Sequence, residues 1–243
     1  MVGISAAGQV DTSGHIFHAT GLLPGWAGVP LKREVEAHFG RPTAVLSDGH
    51  AAALGEAWYG AGRGRSSVLC LTVGTGVGGG MVVDGEVYRG AWGAAGIVGH
   101  TQVVRDGLPC TCGGQGCLES YVSGPALVRE YNARVAGQPA LTDGRAVVER
   151  ARAGDPAARE ALAAIGAWLG FGLASLLGAL NPEVVVIGGG VSQAGDMLLE
   201  SARESLRTYG FPTVKETPIL PAVLGPQAGL VGAAVLAHQQ KTR

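Results

Sequence analysis

One imidazole and three thiols lie within eighteen residues of this sequence, at the spacing His-x9-Cys-x-Cys-x4-Cys. The four residues are His100, Cys110, Cys112 and Cys117. Histidine nitrogen and cysteine sulfur are the ligands of closed, tetrahedral zinc sites, and the glycines between them permit tight turns. The alternative is a disulfide or unrelated reduced thiols, but a Cys-x-Cys pair is too close for an easy bridge and a third thiol would be left over. We therefore predict a loop that binds one structural Zn²⁺.

Two glycine-rich runs each follow an apolar stretch that is typical of a strand. The first run, 74–80, comes after SVLCLTV, and the second, 188–190, comes after VVVI. Backbone amides of such loops approach an anion closely and a threonine adds a hydroxyl. The first run is therefore compatible with a loop that cradles a phosphate tail, and the second with one that holds a nucleotide's sugar and base. No GK[ST] occurs, which excludes a Walker loop, and glycine-rich hairpins also occur merely to make tight turns. The candidate nucleotide-binding residues are Gly74, Thr75, Gly76, Gly78, Gly79, Gly188, Gly189 and Gly190.

A carboxylate stands at a strand-to-helix junction. Asp48 follows the short apolar strand 43–46 and precedes the alanine-rich helix AAALGEAWYG. Folds of the α/β class place active groups at such strand ends, so Asp48 is a candidate general base. An N-cap aspartate that binds the first amides of the helix explains the position equally well.

Composition limits the class of protein. The chain has 243 residues, of which 47% are apolar and 15% charged, so a sizeable core forms and disorder is excluded. The net charge of −1 gives no electrostatic reason to expect nucleic acid, and a small-molecule partner is favoured. Few cysteines suit a reducing cytoplasm, and Cys70, within an apolar run, is expected to be a buried core thiol.

The segments around these motifs predict an α/β protein. Strands are expected at 2–5, 43–46, 68–73, 184–187 and 219–223, with a hairpin turn at Asp84-Gly85. Helices are expected at 30–40, from residue 51, at 196–209 and at 227–240. The uncharged run 162–180 is long enough to cross a membrane, but its four glycines and its direct passage into a strand favour a helix buried on all sides in a core or subunit interface.

Several motifs together resemble the ROK family of bacterial sugar kinases and sugar-responsive repressors. They are DGHAAALGEA, VGTGVGGGMVVDGEVYRGAWGAAG, the GH that ends at His100, the cysteine cluster with CLES, and VVVIGGGVS. The resemblance implies a two-lobed, actin-like ATPase (ribonuclease H-like) fold with ATP and a hexose in the cleft. Residues 1–64 with the closing helix 227–243 would form one lobe, and residues 65–226 the other.

The resemblance also implies roles for particular residues. Asp48 matches the catalytic aspartate that accepts the proton of the sugar 6-hydroxyl as it attacks Mg-ATP. The first glycine-rich run matches the family's phosphate loop, and the second matches its adenosine loop. Ser47, Asp48, His100 and Glu119 match sugar-binding positions, and His100 would also bind the structural Zn²⁺. ATP and Mg²⁺ are the implied cofactors, and a cytoplasmic homodimer or homotetramer without membrane or nucleic acid is the implied setting.

This sequence departs from the family pattern at three places. The acidic, glycine-rich DxGGT phosphate loop with which the family opens has no counterpart, so we expect an incomplete N-terminal lobe and a weak or inactive kinase. Ser47 replaces an asparagine, and Ile97 replaces a carboxylate that holds sugar hydroxyls. Two functions therefore stay open: an ATP-dependent kinase of glucose or a related N-acetylamino sugar, and the sugar-sensing domain of a ROK repressor without its DNA-binding part.

Overall fold

A computed structural model describes residues 1–19, 23–135, 137 and 139–241 of the chain. The residues form a mixed α/β protein with two compact units. The first comprises Met1–Cys70, Gly78–Ile97 and Ala222–Arg243, and the second comprises Leu71–Val77 and Val98–Pro221. The lobes expected from the sequence, 1–64 with 227–243 and 65–226, stay a prediction, and residues 242 and 243 lie outside the described residues.

The element order alternates short strands with helices. The strands are β1 (Val2–Ala6), β2 (Gln9–Val10), β3 (Ile16–His18), β4 (Thr43–Ser47), β5 (Ser67–Val73), β6 (Val77–Val83), β7 (Glu86–Tyr88), β8 (Val184–Gly188) and β9 (Ile219–Pro221). The helices are α1 (Leu31–Phe39), α2 (Asp48–Tyr59), α3 (Glu119–Val122), α4 (Gly124–Arg134), α5 (Gly144–Arg152), α6 (Pro156–Leu180), α7 (Asp196–Tyr209) and α8 (Ala228–Lys241). Every helix and strand predicted from the sequence is present, whereas β2, β3 and α3 to α5 were not predicted.

In the first unit a parallel pair of strands leads into the candidate base. Strand β1 pairs with β4 in a register that runs from Val2 opposite Thr43 to Ala6 opposite Ser47. Helix α1 ends at Gly40, whose φ of 59° is the left-handed conformation that glycine adopts without strain. Strand β4 passes directly into α2, so Asp48 is the first residue of a helix.

The predicted hairpin is anchored to two helices of the same unit. Strands β6 and β7 pair antiparallel, with Val83 opposite Glu86, and the turn residues Asp84 and Gly85 both have positive φ. Asp-Gly suits such a turn because both central positions need φ above zero. The Gly85 carbonyl accepts hydrogen bonds of 2.8 Å from Trp58 Nε1 of α2 and Gln239 Nε2 of α8.

A buried carboxylate joins α2 to the segment that precedes α8. Glu56 accepts the amide of Ala61 at 2.9 Å, and also those of Val223 at 3.3 Å and Leu224 at 2.8 Å. The strand expected at 219–223 therefore ends early, at Pro221, because the next amides turn toward Glu56. Glu56 thus supplies a buried acceptor for three backbone donors, two of which, Ala61 and Leu224, are at least partly buried and would otherwise lose hydration without gaining a partner.

In the second unit β8 and β9 pair in parallel, from Val185 opposite Ile219 to Ile187 opposite Pro221. The strand order of the five-stranded sheet is β7-β6-β5-β8-β9, and β5 contributes residues to both units. Helix α6 contacts α3, α4, α5 and α7. These helices form the helical layer of the second unit.

Helix α6 contains the apolar run that was expected to be buried on all sides. Burial on all sides in the core of the chain is wrong, because Leu169 and Leu173 are buried whereas Ala167 and Ser175 are exposed, and burial in a subunit interface stays a prediction. Among the described helices α6 alone is long and apolar enough to cross a membrane, and half of that apolar window is buried. Two of its glycines lie directly against α7, since a Cβ on Gly166 would collide with the Leu198 carbonyl. The glycines thus serve close helix packing within the second unit.

We expect Glu56→Gln to lower the free energy of unfolding by about 3 kcal/mol. The new side-chain NH2 group faces backbone N–H groups and cannot accept a hydrogen bond from them. Chemical denaturation measured by circular dichroism would check this value. The matched control is Glu204→Gln, which makes the same change at an exposed site on α7 and should shift stability by less than about 0.5 kcal/mol. Equal effects of the two substitutions would contradict the role given to Glu56.

Candidate functional site

The loop after His100 brings the four predicted metal ligands together in the second unit. One ligand atom from each of His100, Cys110, Cys112 and Cys117 lies within 4.8 Å of the others. Cys112 Sγ is 3.7 Å from Cys117 Sγ, and Cys110 Sγ is 3.5 Å from His100 Nδ1. On a tetrahedral zinc, ligand atoms are separated by about 3.8 Å for two sulfurs and about 3.6 Å for sulfur and nitrogen. The donor set fits zinc in both type and spacing.

The pKa of one of these thiols reflects how closely the cysteines are packed. Burial, together with the neighbouring Cys110 and Cys112, raises the pKa of the Cys117 thiol to about 12. A bound cation would deprotonate these thiols, because the thiolate is the form that binds metal, and its positive charge would stabilise three thiolates at this spacing. All four cysteines are free of disulfides, and Cys70 is buried as expected. The arrangement is therefore a candidate structural metal centre.

The first glycine loop connects β5 to β6. Gly74 N donates to Gly76 O at 2.9 Å, and Gly74 O accepts Gly124 N, from the start of α4, at 2.7 Å. Within the described part of the chain the amides of Thr75 and Gly76 have no hydrogen-bond partner, and Thr75 is exposed. Two free amides beside an exposed hydroxyl are the donors that a phosphate group needs.

Glu119 connects this loop to the metal loop. Its Oε2 accepts the amide of Val77 at 2.8 Å, and its Oε1 accepts the hydroxyl of Thr111 at 3.1 Å. A Cβ added to Gly76 would lie 2.5 Å from Glu119 Oε2, so a larger residue at this position would displace the carboxylate that rests on the loop. Glu119 is only two residues beyond the ligand Cys117. The structure therefore places the predicted sugar-binding carboxylate beside the predicted phosphate loop.

The second glycine loop lies beside the first within the same unit. Gly189 has a φ of 90° and sits against Val73, the last residue of β5, so closely that a Cβ would collide with the Val73 carbonyl. Ser192 Oγ donates to Gly189 O at 2.8 Å and closes the turn after β8. Gly74 and Gly189 thus follow the carboxyl ends of two strands, which is where α/β folds bind ligands.

Asp48 lies in the first unit, at the start of α2. Ser47 is the N-cap, and its Oγ accepts the His50 amide at 3.4 Å, so capping is not the role of Asp48. Asp48 Oδ1 accepts the amide of Gly49 at 2.8 Å. The residue is open to solvent on one side, yet the surrounding protein removes enough hydration to raise the pKa of its carboxyl, although bonds from the Gly49 and Asp48 amides oppose the rise. A raised pKa makes the carboxylate a better proton acceptor.

His50 lies two residues after Asp48 in α2, and the sequence alone did not identify it as a candidate site residue. His50 is buried, its Nε2 lies 2.5 Å from the Ala95 carbonyl, and its Nδ1 has no partner among the described residues. Burial lowers the pKa of the imidazole. The lowered pKa favours the neutral ring, in which Nε2 donates to the Ala95 carbonyl, because a carbonyl oxygen only accepts, and Nδ1 is an acceptor. Its place two residues after the candidate base was the only available signal.

Gly78 and Gly79 lie in strand β6, apart from the first glycine loop. Gly79 is buried in the first unit, where a Cβ on Gly49 of α2 would lie 2.7 Å from its backbone. The part played by these two glycines in nucleotide binding stays a prediction. The second unit brings together Gly74, Thr75, Gly76, Gly188, Gly189, Gly190, Glu119 and the four metal ligands, whereas Ser47 and Asp48 belong to the first unit.

The chain is similar to known proteins of one family. The family model of the ROK family matches residues 1–240. The glucokinase of Streptomyces coelicolor is 39% identical over 98% of this chain and 80% of its own length. The crystal structure of a ROK family glucokinase from Streptomyces griseus, in complex with glucose and AMPPNP, has a TM-score of 0.87 and 40% identity over 98% of this chain and 81% of that chain. The xylose repressor of Caldicellulosiruptor bescii is 33% identical over 86% of this chain and 55% of its own length.

We expect about one equivalent of zinc per purified chain, because four ligands of the zinc type stand at zinc spacing. Cys110→Ala should lose most of this metal and melt at a lower temperature, since structural zinc contributes folding free energy. Cys70→Ala removes a thiol from the core and should keep the metal. Elemental analysis with a thermal melt provides both readouts, and a wild-type chain that is folded and free of metal would refute the zinc assignment.

Proposed function

This chain belongs to the ROK family and has the actin-like ATPase fold of its glucokinases, and on that premise we propose that it is an ATP-dependent hexose kinase. The observation that carries the proposal is Asp48, a carboxylate at the end of β4 that is open to solvent and has a raised pKa. A protein that only senses a sugar uses such a carboxylate as a hydrogen-bond acceptor and gains nothing from a raised pKa, whereas a general base does. The proposed substrate is glucose or a related N-acetylamino sugar, phosphorylated on its 6-hydroxyl.

The proposed reaction is an in-line phosphoryl transfer. Asp48 accepts the proton of the 6-hydroxyl as that oxygen forms a bond to the γ-phosphorus of ATP, and the bond from this phosphorus to the bridging oxygen of ADP breaks. Because Mg²⁺ enters with ATP, it is part of the substrate complex. The protein contributes mainly position and charge stabilisation, as is usual for phosphoryl transfer.

Substrate recognition is proposed for each unit separately. In the second unit the free amides of Thr75 and Gly76 support phosphate binding, and the Gly188–Gly190 loop supports adenosine binding. Glu119 and His100 are the proposed hexose-binding residues of this unit. In the first unit the proposed hexose-binding residues are Ser47 and Asp48, with Gly78 and Gly79 as further nucleotide-binding candidates.

We propose that the metal of the Cys3His cluster is zinc with a structural role. His100 directs Nδ1 toward the thiol cluster, and its Nε2 therefore remains for a sugar hydroxyl. A bound Zn²⁺ would orient this imidazole and hold the thiolates together, and no chemical step requires it. With four protein ligands the site is closed, unlike catalytic zinc sites that keep one position open.

A second candidate function is sugar sensing without phosphoryl transfer. It is favoured by the similarity to the xylose repressor and by Ile97 and Ser47, which offer fewer hydrogen bonds to a sugar than the family residues that they replace. Hexose binding with no ADP formed would select this alternative. The cytoplasmic location, the homodimer or homotetramer, and the lack of nucleic acid or membrane partners are further proposals, supported by the composition and by the family.

We expect Asp48→Asn to lower kcat for hexose phosphorylation by at least about a hundredfold while KM changes little, because the carboxylate acts on the reacting hydroxyl. A coupled assay of ADP formation with glucose, mannose and their N-acetylamino derivatives measures both constants. Glu204→Gln is the control for loss of one charge. Turnover that is unchanged in Asp48→Asn would remove Asp48 from the mechanism.

The pH profile should report the same carboxyl. Because burial raises the Asp48 pKa above the ordinary value of 3.8, the base becomes protonated, and inactive, at a higher pH than an exposed aspartate would. We therefore expect kcat/KM to be constant at neutral pH and to fall as the pH decreases through an apparent pKa above 3.8. A profile that stays flat below pH 3.8 in folded protein would contradict this assignment.

A further inference from the structure

Both oxygens of one carboxylate are held by two different loops of the second unit. Glu119 Oε2 accepts the amide of Val77, at the end of the glycine loop, at 2.8 Å. Glu119 Oε1 accepts the hydroxyl of Thr111, which lies between two metal-loop cysteines, at 3.1 Å, and Cys110 Sγ is 3.9 Å from the same oxygen. The Glu119 side chain thus connects the metal loop to the glycine loop through hydrogen bonds.

We propose that Thr111 is a positioning residue for Glu119, and that Glu119 couples the binding of hexose to the binding of nucleotide. The inference rests on the proposed function, because it takes Glu119 as a hexose ligand. A role of Glu119 as a hexose ligand requires neither the positioning by Thr111 nor the coupling between hexose and nucleotide binding.

The hydrogen-bonding capacity of the carboxylate supports the positioning role. An ionised carboxylate accepts about four hydrogen bonds, so the donors Val77 and Thr111 leave acceptor sites for a sugar hydroxyl. The terminal torsion of a glutamate is broad, with no strongly preferred staggered angle. Without the Thr111 hydroxyl only Oε2 stays anchored, and the plane of the carboxylate is no longer fixed. Hexose binding must then also order the carboxylate, and this entropic cost weakens hexose binding.

Charge determines the sign of the coupling. Glu119 Oε2 rests against Gly76, beside the free amides proposed to bind phosphate, so its negative charge opposes a phosphate there. A hexose hydroxyl that donates to Glu119 disperses part of that charge and reduces the repulsion. Hexose should therefore raise nucleotide affinity, and by reciprocity nucleotide should raise hexose affinity by the same factor.

The experiment is calorimetric titration of the zinc-loaded chain with hexose, with and without a non-hydrolysable ATP analogue. The hexose is whichever of glucose, mannose and their N-acetylamino derivatives the wild type binds most tightly. Thr111→Val keeps the shape but removes the hydroxyl, Thr111→Ser restores it, and Thr208→Val is a matched control on α7 whose hydroxyl bonds only to its own helix. Zinc content is measured for every variant.

We expect Thr111→Val to raise the hexose Kd about tenfold and to bring the hexose–nucleotide coupling factor close to one. Nucleotide Kd without hexose should change less than about twofold. Thr111→Ser and Thr208→Val should both resemble the wild type. If Thr111→Val loses zinc, Gly76→Ala decides. Its Cβ displaces Glu119 Oε2 while every residue of the metal loop is kept, and it should also raise the hexose Kd about tenfold.

Three results would overturn the inference. A hexose Kd within twofold of the wild type in Thr111→Val that retains zinc removes the positioning role. An unchanged hexose Kd in Gly76→Ala removes the linkage through the glycine loop. A wild type that binds none of the four hexoses overturns both the inference and the proposed function, whereas normal hexose binding in all variants overturns the inference alone.

Discussion

The candidate site depends on how the glycine loop between β5 and β6 is held. Two of the three residues between these strands are glycines and the third, Thr75, is exposed, so the shape of the loop must come from hydrogen bonds to neighbouring segments. Two such bonds fix it, from Gly124 N to Gly74 O and from Val77 N to Glu119 Oε2. Both partners belong to the short stretch 119–124 that follows the last metal-loop cysteine. The hydrogen bonds that hold the loop proposed to bind phosphate therefore come from the segment that directly follows the metal loop.

Local patterns in the sequence were enough to predict much of this arrangement. The spacing of His100 and the three cysteines predicted a cluster because all four ligands come from one short segment. Helix α1 and the Asp84-Gly85 hairpin were predicted for the same reason, since Gly40 and Gly85 adopt positive φ where the pattern requires it. In each case the determining contacts are a few residues apart along the chain.

Contacts between distant residues were not predicted. Glu119 and Val77 are separated by 42 residues and Glu56 and Leu224 by 168, and neither pair leaves a periodicity that could be read along the chain. The run 74–80 was predicted as a single loop, but Val77 begins a strand that pairs with β7, and pairing with another segment decides the boundary. The exposed face of α6 was missed because its uniformly apolar composition does not distinguish one face from the other.

The two units differ in the electrostatic environment that each provides. A general base needs a carboxyl with few donors around it. Among the described residues of the first unit, the donors to Asp48 are amides of its own helix end, so partial burial can raise its pKa. An anion site needs unsatisfied donors, which in the second unit are the amides of Thr75 and Gly76. Free donors placed beside Asp48 would stabilise its charged form and lower its pKa, and a buried carboxyl without donors placed among the phosphates would repel them. Keeping the base and the anion donors on separate units of the chain lets each group retain the environment that its chemistry requires.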